Sequence, residues 1–124
     1  MRNDTVDTSV WIDHLRSGDD NLVQQLNSSN VLMHPFVLGE LACGNLNKRK
    51  EILTLFKDLP LSSVATDDEV LFFIEQHKLM ARGIGYIDSH LLAAVALNSS
   101  ARLWTRDKRL REVSDSLSLT FEMD

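Results

Sequence analysis

One cysteine, Cys43, in 124 residues rules out a disulfide scaffold within the chain, and its apolar neighbours Leu41 and Ala42 predict a small buried thiol. Two prolines and five glycines leave no Pro-rich or Gly-rich tract to act as a linker. No apolar run approaches the roughly 20 residues that cross a bilayer, and Met1 to Thr5 lack the apolar core of a secretory signal, so a cytoplasmic protein without membrane contact is expected. Positive charge is also short: 13 Lys and Arg face 18 Asp and Glu, and a net charge of −5 argues against nucleic-acid binding by bulk electrostatics.

What remains is an ordinary globular composition, 44% hydrophobic and 25% charged, in a length that suits one domain over residues 1–124. Val6 leads into Asp7-Thr8-Ser9 as strand to turn, and Val10 to Arg16 reads as a short helix stopped by Gly18. Asn21 to Leu26 adds helical turns. Val31-Leu32-Met33 is a short buried strand, followed by a helix opened by Pro35, carrying Glu40 near the core and ending near Gly44. Lys48 to Lys57 is a helix with Ile52, Leu55 and Phe56 on its apolar stripe.

Thr66 is the expected N-cap of a helix running toward Gly83, with Asp67, Asp68 and Glu69 at its positive end. Its stripe of Val70, Phe73, Ile74, His77 and Ala81 leaves Leu71, Phe72 and Leu79 over, an excess that suits a partner surface. Asp88 opens the next helix through Leu97, Ala101 to Thr105 is a strand, Asp107 stands where strand becomes helix, and Leu117, Leu119 and Phe121 alternate as a last strand. Strands separated by helices predict an α/β fold, a three-layer sandwich with a central parallel sheet flanked by helices.

In such a sheet ligands bind outside the carboxyl ends of the strands, where Asp7 and Asp107 fall. Glu40 and Asp88 could join them in one crevice. Four gathered carboxylates are costly unless a cation offsets them, and hard oxygen donors suit magnesium or manganese, which can activate water for phosphodiester hydrolysis. Setting those four aside leaves 14 acids against 13 bases, so the rest of the protein is nearly neutral.

Val6-Asp7-Thr8-Ser9-Val10-Trp11, Gly39-Glu40-Leu41, Asp88 to Ala94 and Leu103 to Leu110 together resemble the PIN-domain family, most closely its VapC-type toxin ribonucleases. The resemblance spans essentially the whole chain. It implies a Mg2+- or Mn2+-dependent endoribonuclease of a toxin–antitoxin pair, a homodimer held in check by a VapB-type antitoxin. Its acidic positions correspond to Asp7, Glu40, Asp88 and Asp107, and its small hydroxyls beside the site to Ser9 and Thr105, able to orient a carboxylate, a water or a phosphate. One departure stands out. The family's first strand is apolar, whereas Arg2 to Thr5 are polar, which leaves a short strand or a displaced chain start as the alternatives.

Other features have simpler uses. Asp7, Asp88 and Asp107 could cap helices. Arg102, Arg106, Lys108 and Arg109, with Arg111, surround Asp107 and serve RNA phosphates or plain solvation equally well. His14, His34, His77 and His90 lack zinc-ligand spacing and are expected at the surface or its boundary; Trp104 belongs to the core. The rival functions are a receiver-like magnesium-dependent phosphoacceptor, whose adjacent acids and late lysine are missing, and a catalytically idle interaction module.

Overall fold

The computed structural model describes residues 3–122. In chain order these form β1 (Asn3–Val6), α1 (Thr8–Ser17), α2 (Asp20–Asn27), β2 (Val31–Leu32), α3 (Pro35–Ala42), α4 (Arg49–Lys57), α5 (Asp67–His77), α6 (Tyr86–Ala96), β3 (Ala101–Trp104) and α7 (Lys108–Ser116). The strands lie in the order β2-β1-β3, and both pairings are parallel. This is the expected α/β arrangement of a parallel sheet with helical connections.

The polar start is the central strand. Asn3 to Val6 pair residue for residue with Ala101 to Trp104, and Asp4 and Thr5 with Val31 and Leu32. Thr5 is wholly buried, its hydroxyl 3.2 Å from that of Ser62. A strand paired on both sides draws its order from the backbone ladder, and a β-branched Thr suits it as well as Val does.

The sheet widens at both edges by single bridges, Met33 to Leu61 and Leu103 to Thr120. The predicted last strand therefore shrinks to one bridge: Leu103 N–H donates to Leu119 C=O and Phe121 N–H to Leu103 C=O, while Leu119 N–H turns back to Ser114 C=O just after left-handed Ser118 (φ 59°). The core gathers Val6, Val10, Leu22, Leu91, Leu103 and Leu110, and Trp104 stacks on Phe121 as core residues do.

Several boundaries differ from the sequence reading. Helix α5 stops at His77, where left-handed Lys78 (φ 53°) lets Leu79 N–H bond back to Ile74 C=O and buries Leu79. Ala81 lies in the following turn, outside the helical stripe. Helix α6 begins two residues before Asp88, at Tyr86. Cys43 is exposed beyond the end of α3, since Leu41 takes the buried position. Leu55 also faces solvent, leaving Ile52 and Phe56 as the packed i, i+4 pair of α4.

The start of α5 follows its cap. Thr66 Oγ1 accepts from Glu69 N–H at 3.1 Å while Glu69 Oε1 accepts from Thr66 N–H at 2.9 Å. Thr66→Ala is expected to cost about 1 kcal/mol in urea unfolding with an unchanged m-value.

Candidate active site

Because β1 and β3 are parallel neighbours in register, the residues after them emerge side by side at one end of the sheet. Asp7 N–H extends the ladder by donating to Trp104 C=O at 2.8 Å. Asp7 precedes α1 with extended backbone, but its buried side chain makes no cap bond. Instead Oδ2 accepts from Ser9 Oγ at 2.8 Å and from Thr105 Oγ1 at 2.7 Å. Thr105 Oγ1 in turn accepts from Asp107 N–H at 3.0 Å, and Ser9 Oγ from Arg106 N–H at 2.9 Å. Two hydroxyls thus lock the first aspartate to the turn that carries the last.

Asp107 does cap α7, its Oδ1 accepting from Leu110 N–H at 3.0 Å, while Oδ2 has no partner among the described residues. Glu40 is exposed rather than near the core, because it lies on the outward turn of α3; Thr8 Oγ1 reaches across from α1 to donate to its Oε1 at 2.9 Å. Thr8 was not singled out in the sequence, although its place between Asp7 and Ser9 is a usable signal. Asp88, partly buried in the first turn of α6, sets Oδ2 3.5 Å from Gly85 N–H.

Asp88 registers the company. Burial pushes its carboxyl up to about 6; the negative charges of Asp7, Asp107 and Glu40 push the same way, opposed by Gly85 N–H. The four acids therefore share one field. No three His, Cys, Asp or Glu side chains among the described residues close around a single ion position. A magnesium-like ion that keeps several of its own waters suits such a spread set of oxygen donors, and the excess negative charge fits its binding.

The basic residues divide. Arg106 pairs with Asp13 at 2.8 Å and with Asp19, so its charge is spent clasping α1 and the start of α2 to the turn after β3. The clasp holds the Arg106 guanidinium above and the Asp19 carboxyl below their usual ranges. Arg102 sits early in β3, opposite Asp4, and donates to Ala101 C=O at 2.7 Å; it stands away from the acidic end because the strand runs between them. Lys108 and Arg109 open α7 on the exposed side, and Arg109 lies across Gly83, where a Cβ would come within 2.6 Å of its Cδ. Of the histidines, His34 and His90 are buried, contrary to the surface placement expected of them, because both turn into the space between α3 and α6 against the ring of Phe36.

The PIN-domain model matches residues 5–116, from the third residue of β1 to the end of α7. The chain belongs to the PIN-domain family. Over 106 residues, covering 86% of each chain, this PIN domain is 48% identical to Ribonuclease VapC32 from Mycobacterium tuberculosis strains CDC 1551 / Oshkosh and ATCC 25618 / H37Rv. The matched span contains Asp7, Glu40, Asp88 and Asp107 together with Thr8, Ser9 and Thr105.

Proposed function

We propose that the protein is a metal-dependent endoribonuclease, the toxin of a VapBC-type pair, with Asp7, Glu40, Asp88 and Asp107 holding Mg2+ or Mn2+ at the carboxyl end of the sheet. The observation that carries the reading is the joining of Asp7 to the turn that bears Asp107 through Thr105, in the field of an Asp88 carboxyl raised by burial and then by Asp7, Asp107 and Glu40. Similarity to a ribonuclease over most of the chain supports RNA as the substrate. When bound, the ion supplies Lewis-acid charge and a water acidic enough to attack a phosphodiester.

The chain's own part is preparation. Ser9 and Thr105 direct their protons to Asp7 Oδ2, which leaves Oδ1 for a ligand. Thr8 steadies Glu40, and Asp107 offers the oxygen that does not cap α7. Lys108 and Arg109 stand beside Asp107 in sequence and suit the phosphates of a bound strand, whereas Arg106 acts through its clasp.

Partners follow from the apolar surface left open. Leu71, Phe72 and Leu97 are 54%, 68% and 53% exposed. They suit a homodimer or a VapB-type antitoxin; Leu79, now buried, leaves that surface. No described helix is long and apolar enough to cross a membrane, and an RNA substrate is met in the cytoplasm. The PIN family does not fit the receiver-like alternative, and an idle interaction module would have no use for the charge imposed on Asp88.

Titration with Mg2+ or Mn2+ tests the reading. At a metal concentration 100 times Kd, binding to the folded state should add about 2.7 kcal/mol to unfolding stability, and the same titration should switch on cleavage of a mixed RNA. Stabilisation without cleavage would leave the idle module; neither effect would remove the metal site.

A further inference from the structure

His90 is 1% exposed, one turn into α6 and two residues beyond Asp88. Two residues advance an α-helix by about 200°, so His90 and Asp88 lie on opposite sides of α6. Whatever fixes the His90 side therefore fixes which way Asp88 points. Three neighbours do so. The ring of Phe36, from α3, meets that of His90 edge-on with centroids 4.6 Å apart; Tyr86, one turn back on α6, meets it at 4.7 Å and 87°; and Asp67 Oδ1, from the first turn of α5, lies 3.3 Å from His90 Nε2. Tyr86 donates its hydroxyl to the same Asp67 oxygen at 2.8 Å. Phe36 stands one turn before Glu40 on α3, so the ring contact joins the helices of two of the four acids.

The protonation pattern supports a fixed arrangement. His34 Nδ1 accepts from Phe36 N–H at 3.0 Å, so that nitrogen carries the lone pair and Nε2 carries the hydrogen of the neutral ring. Burial, then the nearby His90, lowers the His34 imidazole to about 4, so it is neutral at pH 7. His34 Nε2 and both ring nitrogens of His90 are buried without a hydrogen-bond partner among the described residues, so Asp67 meets His90 Nε2 as a close charge and not through a hydrogen bond. The His90 ring is therefore placed by its aromatic neighbours and by the nearby Asp67 charge.

We propose that His90 is a positioning residue: held by Asp67, Tyr86 and Phe36, it fixes the rotation of α6 and its spacing from α3, so that Asp88 and Glu40 serve one divalent cation. This rests on the metal-site reading above. Asp67, exposed and at a helix start, is then the outer anchor of the centre, although it touches none of the four acids in any described contact. An outer partner of this kind typically changes metal affinity by 10–100-fold.

Mn2+ binding to the full chain, by titration calorimetry, should therefore weaken about tenfold in Asp67→Ala and in His90→Leu, with the Mn2+ needed for half-maximal RNA cleavage rising in step. Cleavage at saturating Mn2+ should stay within a few-fold of wild type. Asp67→Asn keeps an oxygen acceptor and should restore wild-type affinity. Nitrogen-15 spectra of wild type should show His34 as the Nε2–H tautomer, and Asp67→Ala should disturb the His90 ring while sparing His34. Asp67→Ala alters an exposed side chain and keeps the test open if His90→Leu fails to fold. Unchanged Mn2+ affinity in Asp67→Ala, or a His90 ring that the substitution leaves undisturbed, would overturn the positioning role while the metal site stood. Absence of Mn2+ binding by wild type would overturn the metal site itself and the positioning role with it.

Discussion

Asp88→Asn is expected to suppress RNA cleavage by about 10²–10³-fold, the range that loss of one well-placed electrostatic group costs, while making the metal-free protein more stable at neutral pH. Both effects have one origin. The Asp88 carboxyl is held up at about 6 against an ordinary 3.8, so the fold prefers it protonated. A carboxyl raised in this way lends stability in full below its unfolded value, and that contribution is lost as pH rises through the folded one. The metal-free wild type should thus lose stability between about pH 4 and 6, by on the order of 2 kcal/mol, and gain nothing back above it.

The amide has no charge to desolvate or to repel Asp7, Asp107 and Glu40, and it retains an oxygen for Gly85 N–H. Urea unfolding of the two proteins in chelator, across pH 4 to 8, should show a sloping line for wild type and a flatter one for the variant. Adding Mn2+ should reverse their order, because only the wild type then gains the full binding contribution. Asp7→Asn should lose cleavage to a similar degree. Full cleavage by both variants would sink the assignment of these acids.

Asp7, Asp107 and Asp88 stand out in the sequence because each sits beside a local landmark: Asp7 after the apolar Val6, Asp107 after a compact strand, Asp88 before an Ala/Leu-rich run. Parallel topology then does the gathering, since register between β1 and β3 brings Asp7 and Thr105 together across 98 positions. Less legible was anything decided by packing from a distant element. The polar stretch before Asp7 gave no apolar pattern, yet two neighbouring strands make it the centre of the sheet. Two histidines with no motif are buried because α3, α5 and α6 meet around them. Leu79 and Cys43 exchanged places relative to expectation through single backbone events, a left-handed residue at Lys78 and the end of α3. A hydrophobicity pattern assumes that the helix continues, and cannot register where it stops.

Thr105→Val should cost both stability and activity, since it removes the hydroxyl while nearly preserving shape and β-branching. Thr105 is buried, and its Oγ1 is the joint of the site: it donates to Asp7 Oδ2 at 2.7 Å, accepts from Asp107 N–H at 3.0 Å and lies 3.3 Å from Ser9 Oγ. Valine leaves the Asp107 N–H without its acceptor and the buried Asp7 carboxylate with one donor instead of two, a loss of about 1–3 kcal/mol. Asp7 then turns more freely about its remaining bond to Ser9, and the turn bearing Asp107 is no longer pinned to it. Orienting groups of this kind are worth about 10–100-fold in metal affinity or activity, so half-maximal cleavage should need more Mn2+ and the maximal rate should also fall. Thr105→Ser restores the oxygen without the methyl and should recover most of the cleavage but less of the stability, because the methyl's packing stays lost. Urea unfolding in chelator and Mn2+-dependent cleavage of the three proteins separate the two contributions. A valine variant that unfolds early yet cleaves at the wild-type Mn2+ requirement would show that the hydroxyl only braces the sheet end and does not orient Asp7.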